Sequence, residues 1–134
     1  MSESNLDVVN TFFETAAREG LESAATKCCA QNYTWWVAGI GDMRAKVAQM
    51  SKLMQQELDE NGLAMKLLGF TCDGERVAVE SESYGRLKRG TRYNNHYHFL
   101  FIVRNGRIEA IREYNDTAHA AEVWSTAMAE RGLA

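Results

Sequence analysis

Leu6, Val9, Phe13, Ala16 and Ala17 recur at the spacing of one helical face. Ser4 with Asp7 can form a capping box and Gly20 offers a stop, so the pattern predicts a helix over 5–19. A short helix from Leu21 to Cys29 follows. Tyr33-Thr34-Trp35-Trp36-Val37 then has the β-branched and aromatic content of a strand. Gly39 and Gly41 break the chain before Asp42, which is placed to cap a third helix carrying Met43, Val47, Met50, Met54 and Leu58, ended by Asn61-Gly62. From residue 64 the period changes to two. Turn signals at Asp73-Gly74, Arg89-Gly90 and Asn105-Gly106 divide this half into four strands of an antiparallel meander, the last running to about Asp116. Asp116 can cap a final helix with Ala121, Trp124 and Met128 on one side. Helices followed by a meander predict an α+β fold with helices on one face of an antiparallel sheet. Sheet twist curves such a layer and leaves a concavity wherever inward side chains do not fill it.

Strand alternation decides what can enter that concavity. Tyr97, Phe99, Phe101 and Val103 share one face; His96, His98, Leu100 and Ile102 share the other. Both faces are partly apolar and no helix remains for the second, which predicts a homodimer through the His96 to Ile102 face. In the neighbouring strand Glu80, Glu82 and Tyr84 oppose Val77, Val79, Ser81 and Ser83. In the last strand Ile111, Glu113 and Asn115 oppose Ala110, Arg112, Tyr114 and Asp116. Acidic sets facing inward would repel and desolvate one another, raising a pKa as acid/base chemistry needs; facing outward they are solvated charges. Alternation leaves both open.

Composition narrows the partners. A chain of 134 residues, 46% apolar and 25% charged, predicts a single globular domain over 1–134. A net charge of −3 supplies no field for a phosphate backbone, so nucleic acid is not an expected partner. No apolar run is long enough to cross a bilayer and Met1-Ser2-Glu3-Ser4-Asn5 does not read as a leader, so no membrane partner and a cytoplasmic location are expected. Three cysteines, with Cys28 and Cys29 adjacent, fit reduced thiols in that compartment. His96 and His98 share a strand face, yet a metal needs a third ligand and only distant His119 remains; interface histidines are the expectation, with no metal. Arg86, Lys88, Arg89 and Arg92 flank the Gly90 turn as a solvated hairpin tip. Trp35 and Trp36 must face opposite sides of their strand, and Met43, Met50 and Met54 read as core or as an adaptable pocket wall.

The run Asn95-x-Tyr97-x-Phe99-x-Phe101-x-Val103-x-Asn105-Gly106-x-Ile108, followed by Arg112-Glu113-Tyr114-Asn115-Asp116-Thr117, resembles the C-terminal half of SnoaL-like proteins in the nuclear-transport-factor-2-like superfamily. Val9-x-x-Phe12-Phe13-Glu14 and Trp35-Trp36-Val37-x-Gly39 are similar to earlier segments of that family, so the resemblance spans nearly the whole chain. It implies a cystatin-like cone, a curved sheet wrapped around N-terminal helices with an internal pocket, lined by Trp35, Glu80, Glu82, Asn95, Tyr97 and Glu113. The same faces add Tyr84, Phe99 and Asn115 as ligand-binding candidates. In the related limonene-1,2-epoxide hydrolases, an arginine and an aspartate two apart, with an aspartate on the last strand, activate water. Those places hold Glu80, Glu82 and Glu113 here, and Trp35 and Val37 replace a tyrosine and an asparagine, which argues against the same epoxide opening. Ketosteroid isomerases, more distant relatives, move a proton beside a carbonyl with one carboxylate. The resulting expectation is cofactor-free proton transfer of isomerase, cyclase or lyase type on a small, largely apolar or carbonyl-bearing molecule. Glu82 is the expected base, Glu113 its partner, Glu80 a contributor to the field and Tyr97 a hydrogen-bond donor to an oxyanion. The alternative is a ligand-binding module without catalysis.

Overall fold

The computed structural model describes residues 4–133, so Met1, Ser2 and Glu3 of the expected non-leader N-terminus lie outside the described residues. Helix α1 spans Asn5–Glu19, and the Ser4 hydroxyl accepts from the Asp7 N–H as its cap. It buries Val8, Val9, Phe12 and Phe13 against the sheet. Gly20 turns the chain at φ 97°, and a Cβ there would stand 3.0 Å from the Ser51 hydroxyl. The positive φ therefore favours glycine, and any side chain there would also press on Ser51 and Gln55 of the later helix.

Helix α2, Leu21–Cys28, runs directly into strand β1, Cys29–Val37. The strand thus begins ahead of the expected Tyr33, because the chain becomes extended at Cys29 (φ −96°, ψ 150°). A two-residue strand β2, Gly41–Asp42, pairs back on β1. The third helix starts later than its pattern suggested. Asp42 accepts from the Arg44 N–H just ahead of a 3-10 turn, Arg44–Lys46, whose N-cap is Met43, and α3 proper is Val47–Glu57.

Strands β3 (Ala64–Asp73), β4 (Arg76–Arg86), β6 (His96–Arg104) and β7 (Arg107–Asn115) form the expected meander, with a short β5, Arg92–Tyr93, hydrogen-bonded to β4. Asn105 and Gly106, both at positive φ, make the tight β6–β7 turn. The sheet order is β2-β1-β7-β6-β4-β3, with β1 parallel to β7. Asp116 caps α4, Thr117–Glu130, by accepting from the His119 N–H.

This is an α+β fold with a strongly curled sheet. Its inner face carries Val77, Val79, Phe99, Phe101, Val103, Ile108 and Ile111, packed under α1 and α2. A second, smaller cluster of Leu53, Leu58, Leu87, Tyr93, Val123, Trp124 and Ala127 joins α3, α4 and the β4–β5 hairpin. Trp35 faces the core while Trp36 lies on the outer face, under the Arg112 guanidinium at 4.3 Å. Among the described residues no helix is long and apolar enough to cross a membrane.

Candidate functional site

Between the two clusters lies a cavity of about 780 Å³, within the range of small-molecule sites. Its sheet wall is Trp35, Tyr97, Phe99, Glu113 and Asn115; Phe12 and Phe13 of α1 and Tyr93 and Trp124 add further rings. Phe99 pairs with Glu113 across β6 and β7, and Tyr97 with Asn115, so the aromatic and polar walls interleave strand by strand.

Glu113 is buried, and both carboxylate oxygens are held. The Trp35 indole N–H donates to Oε1 at 3.0 Å and the Asn115 amide donates to Oε2 at 2.7 Å. Burial pushes its pKa above the ordinary carboxylate range, against the downward pull of these two donors. Among the described residues its oxygens meet no cation within ion-pair distance.

A hydroxyl chain joins β4, β5 and β6 beside it. The Tyr93 and Tyr97 hydroxyls are 2.9 Å apart, and Tyr97 donates to the Ser83 hydroxyl at 3.1 Å. Burial raises the pKa of both phenols, which keeps them protonated as donors. Asn95 is fully buried behind this wall: its amide donates to the Tyr93 hydroxyl at 3.1 Å and to the Asp116 carbonyl, and its backbone N–H donates to Ser83. Asn95 thus supports the chain without lining the cavity. His119 stacks on Tyr93 and its Nε2 accepts from the Asn94 N–H.

The structure corrects the placement of the other acidic strand face. Glu80, Glu82 and Tyr84 point away from the cavity, because Val77, Val79, Ser81 and Ser83 take the inward positions. Register explains the choice: Val77 and Val79 meet Phe101 and Phe99, which puts Glu80 and Glu82 beside His98 and His96 on the outer face. There Glu82 accepts from the Asn94 amide at 2.9 Å and lies 3.5 Å from His96 Nε2. That amide hydrogen bond holds Glu82 below the ordinary carboxylate range, opposite in direction to a base tuned upward. Three converging carboxylates are therefore replaced by Glu113 alone.

Sequence reasoning passes over Tyr93, which falls between the Arg89-Gly90 turn and the run from Asn95; its parity with Tyr97 and Phe99 is the signal that finds it. Arg89 stays exposed at the expected hairpin tip, but it is ion-paired there. It donates to Glu57 at 2.7 Å and to Glu130 at 2.9 Å, and Arg131 reaches Glu57 from α4 at 2.7 Å.

With this geometry in place, comparison with known proteins is informative. The SnoaL-like domain profile matches residues 9–111. A protein from Jannaschia sp. CCS1 assigned as a SnoaL-like polyketide cyclase superposes with a TM-score of 0.71 at 13% identity, covering 90% of this chain and 94% of that one. An LEH-like epoxide hydrolase of M. tuberculosis gives 0.71 at 18% identity, covering 93% and 92%. A protein of ketosteroid isomerase-like fold from Catenulispora acidiphila DSM 44928, in complex with trimethylamine, gives 0.66 at 17% identity, covering 81% and 84%. At these identities the likeness is one of fold. No curated protein matches the sequence.

Proposed function

Because the chain belongs to the SnoaL-like domain family, we propose that it takes a small, largely apolar, carbonyl-bearing molecule into the cavity and moves a proton on it with Glu113 as the base. One observation carries this reading: a buried carboxylate, unpaired with any cation among the described residues, on the wall of an aromatic cavity. Trp35 and Asn115 fix its orientation through both oxygens, so it meets a bound C–H without rearranging. Burial makes its conjugate acid hold the proton long enough to return it elsewhere on the ligand. Loss of a proton beside a carbonyl puts negative charge on oxygen. The Tyr97 hydroxyl, backed by Tyr93, serves that charge by turning its one proton from the Ser83 hydroxyl to the ligand oxygen. Isomerisation, cyclisation and elimination share this step.

A second reading has its own support. An uncompensated carboxylate among aromatic rings also suits a protonated amine, and one protein of this fold holds trimethylamine. Exchange of the α-protons of 2-tetralone in D2O, followed by NMR, separates the two. The wild-type protein should accelerate exchange over buffer, and Glu113→Gln should lose about 10² to 10⁴ of that rate. Equal exchange by wild type and variant, with trimethylammonium binding lost in the variant, would leave a binding module instead. We also propose that two copies pair through the outer sheet face around His96, His98, Leu100 and Ile102.

A further inference from the structure

The chain has six methionines, and all five among the described residues line the cavity: Met43, Met50, Met54, Met65 and Met128. They come from the turn before α3, from α3, from β3 and from α4, so no single stretch of sequence brings them together. Met65 lies on β3 and Met43 packs with the sheet-side cluster, whereas Met50, Met54 and Met128 pack with the cluster of α3 and α4, on the other side of the cavity from the sheet wall. That wall is stiff. Tyr97 stacks on Phe99 at 5.4 Å and Phe99 on Phe101 at 5.6 Å, while Phe12 and Phe13 meet Phe101 edge-on. Each of those rings is locked by its neighbours.

Helix α3 distributes its apolar residues unevenly. Leu53 is 1% exposed and packs into the second cluster with Leu87, whereas Met50 and Met54 turn to the cavity and keep part of their surface open. Leucine, with a branched and well-defined shape, fills the closed side. Methionine, unbranched and with three rotatable bonds, meets the space. An unbranched thioether can extend to fill a gap or fold back from an occupant at little cost.

We infer that this methionine wall determines specificity: it adjusts the cavity to apolar ligands of different ring number while the sheet wall holds their carbonyl end, Tyr97 toward the oxygen and Glu113 toward the adjacent C–H. The inference rests on the reading of the cavity as the ligand site. It assigns the range of ligands to Met50, Met54 and Met128, and leaves proton transfer to Glu113.

Three ketones test it: cyclohex-2-enone, 2-tetralone and anthrone, with one, two and three rings. In protein labelled with [13C-methyl]methionine, each ketone should move a different subset of the cavity methyl signals furthest, as side chains withdraw progressively from larger ligands. Replacing Met50, Met54 and Met128 together by leucine conserves volume and helix propensity but stiffens the wall. The variant should hold cyclohex-2-enone within about threefold of wild type and lose anthrone by about tenfold or more, the scale of a misfit methylene in an apolar pocket. Affinities that shift by one common factor, or the same methyls responding equally to all three ketones, would overturn the inference. The labelled wild type decides the matter even if the triple variant does not fold. Failure of the two ideas is distinguishable: Glu113→Gln reports through the α-proton exchange rate, the leucine variant through the ratio of affinities. Absence of binding by all three ketones would overturn both.

Discussion

At the scale of one residue, the central fact is that Glu113 is buried without a cation to balance it. Burial raises its pKa above the ordinary 4.5, and the donors Asn115 and Trp35 offset only part of that rise. The folded chain therefore binds this proton more tightly than the unfolded chain does. Stability that is complete below about pH 4.5 falls as pH climbs through the raised folded value and then levels off. Glu113→Gln removes the slope. Urea unfolding at a series of pH values should show the variant gaining on wild type between about pH 4.5 and neutrality. A difference independent of pH would mean that the carboxyl is not buried in solution. Tyr97 makes a separable contribution. Tyr97→Phe keeps the ring on Phe99 but removes the hydroxyl donor. The rate of α-proton exchange on bound 2-tetralone should fall by about 10² to 10³, with a much smaller change in affinity. Equal loss in both would make the hydroxyl a binding group.

At the scale of elements, strands β4 and β7 show how far a sequence can be read. Nearly all the elements were legible, because period, caps and turn residues agree: Ser4 and Asp116 cap the helices assigned to them, and Asn105-Gly106 makes its hairpin. On β7 the burial pattern turns Glu113 inward with Ile111. On β4 alternation leaves both faces open, and the family resemblance points Glu80 and Glu82 inward. The choice is made by register: Val77 and Val79 meet Phe101 and Phe99 in the core, which sends the acidic pair outward, and a shift of one position reverses a strand. The salt-bridge node at Glu57 was not legible at all, because its partners lie 32 residues away in a hairpin and at the end of α4. Burial pushes Glu57 up, but hydrogen bonds from Arg89 and Arg131 outweigh it and hold the carboxyl below its ordinary range. Its contribution is thus present above the unfolded value and is lost as pH falls through the folded one. Glu57→Gln should cost about 1–3 kcal/mol at neutral pH, and progressively less in acid, by urea unfolding. Hydrogen exchange should rise first in α4, which this node ties to α3 and the hairpin.

At the scale of the whole molecule, the sheet has used only one face. Inward, it meets α1, α2 and the cavity; outward, Leu100 and Ile102 stay half-buried between charged flanks, with no helix over them among the described residues. The flanks differ in sign around Leu100 and His98, with Arg76 further along β4 beside Ile102. On the β7 side of Leu100 stands Arg112, and on the β4 side of His98 stands Glu80, followed by Glu82 beside His96. A two-fold axis running in the interface along β6 brings the basic flank of one copy over the acidic flank of the other, the self-complementarity that an isologous dimer requires. Such a pairing predicts a dimer by light scattering at micromolar concentration. Leu100→Glu, which buries a charge at the centre of the strip, should give a monomer that still binds 2-tetralone, since the cavity lies on the opposite face. The charges supply the sharper test. Arg112→Glu alone sets like charges against Glu80 of the second copy and should weaken association. Adding Glu80→Arg to the same chain restores opposite signs across the axis and should recover much of it. A monomeric wild type, or a double variant no better associated than the single one, would place the contact elsewhere.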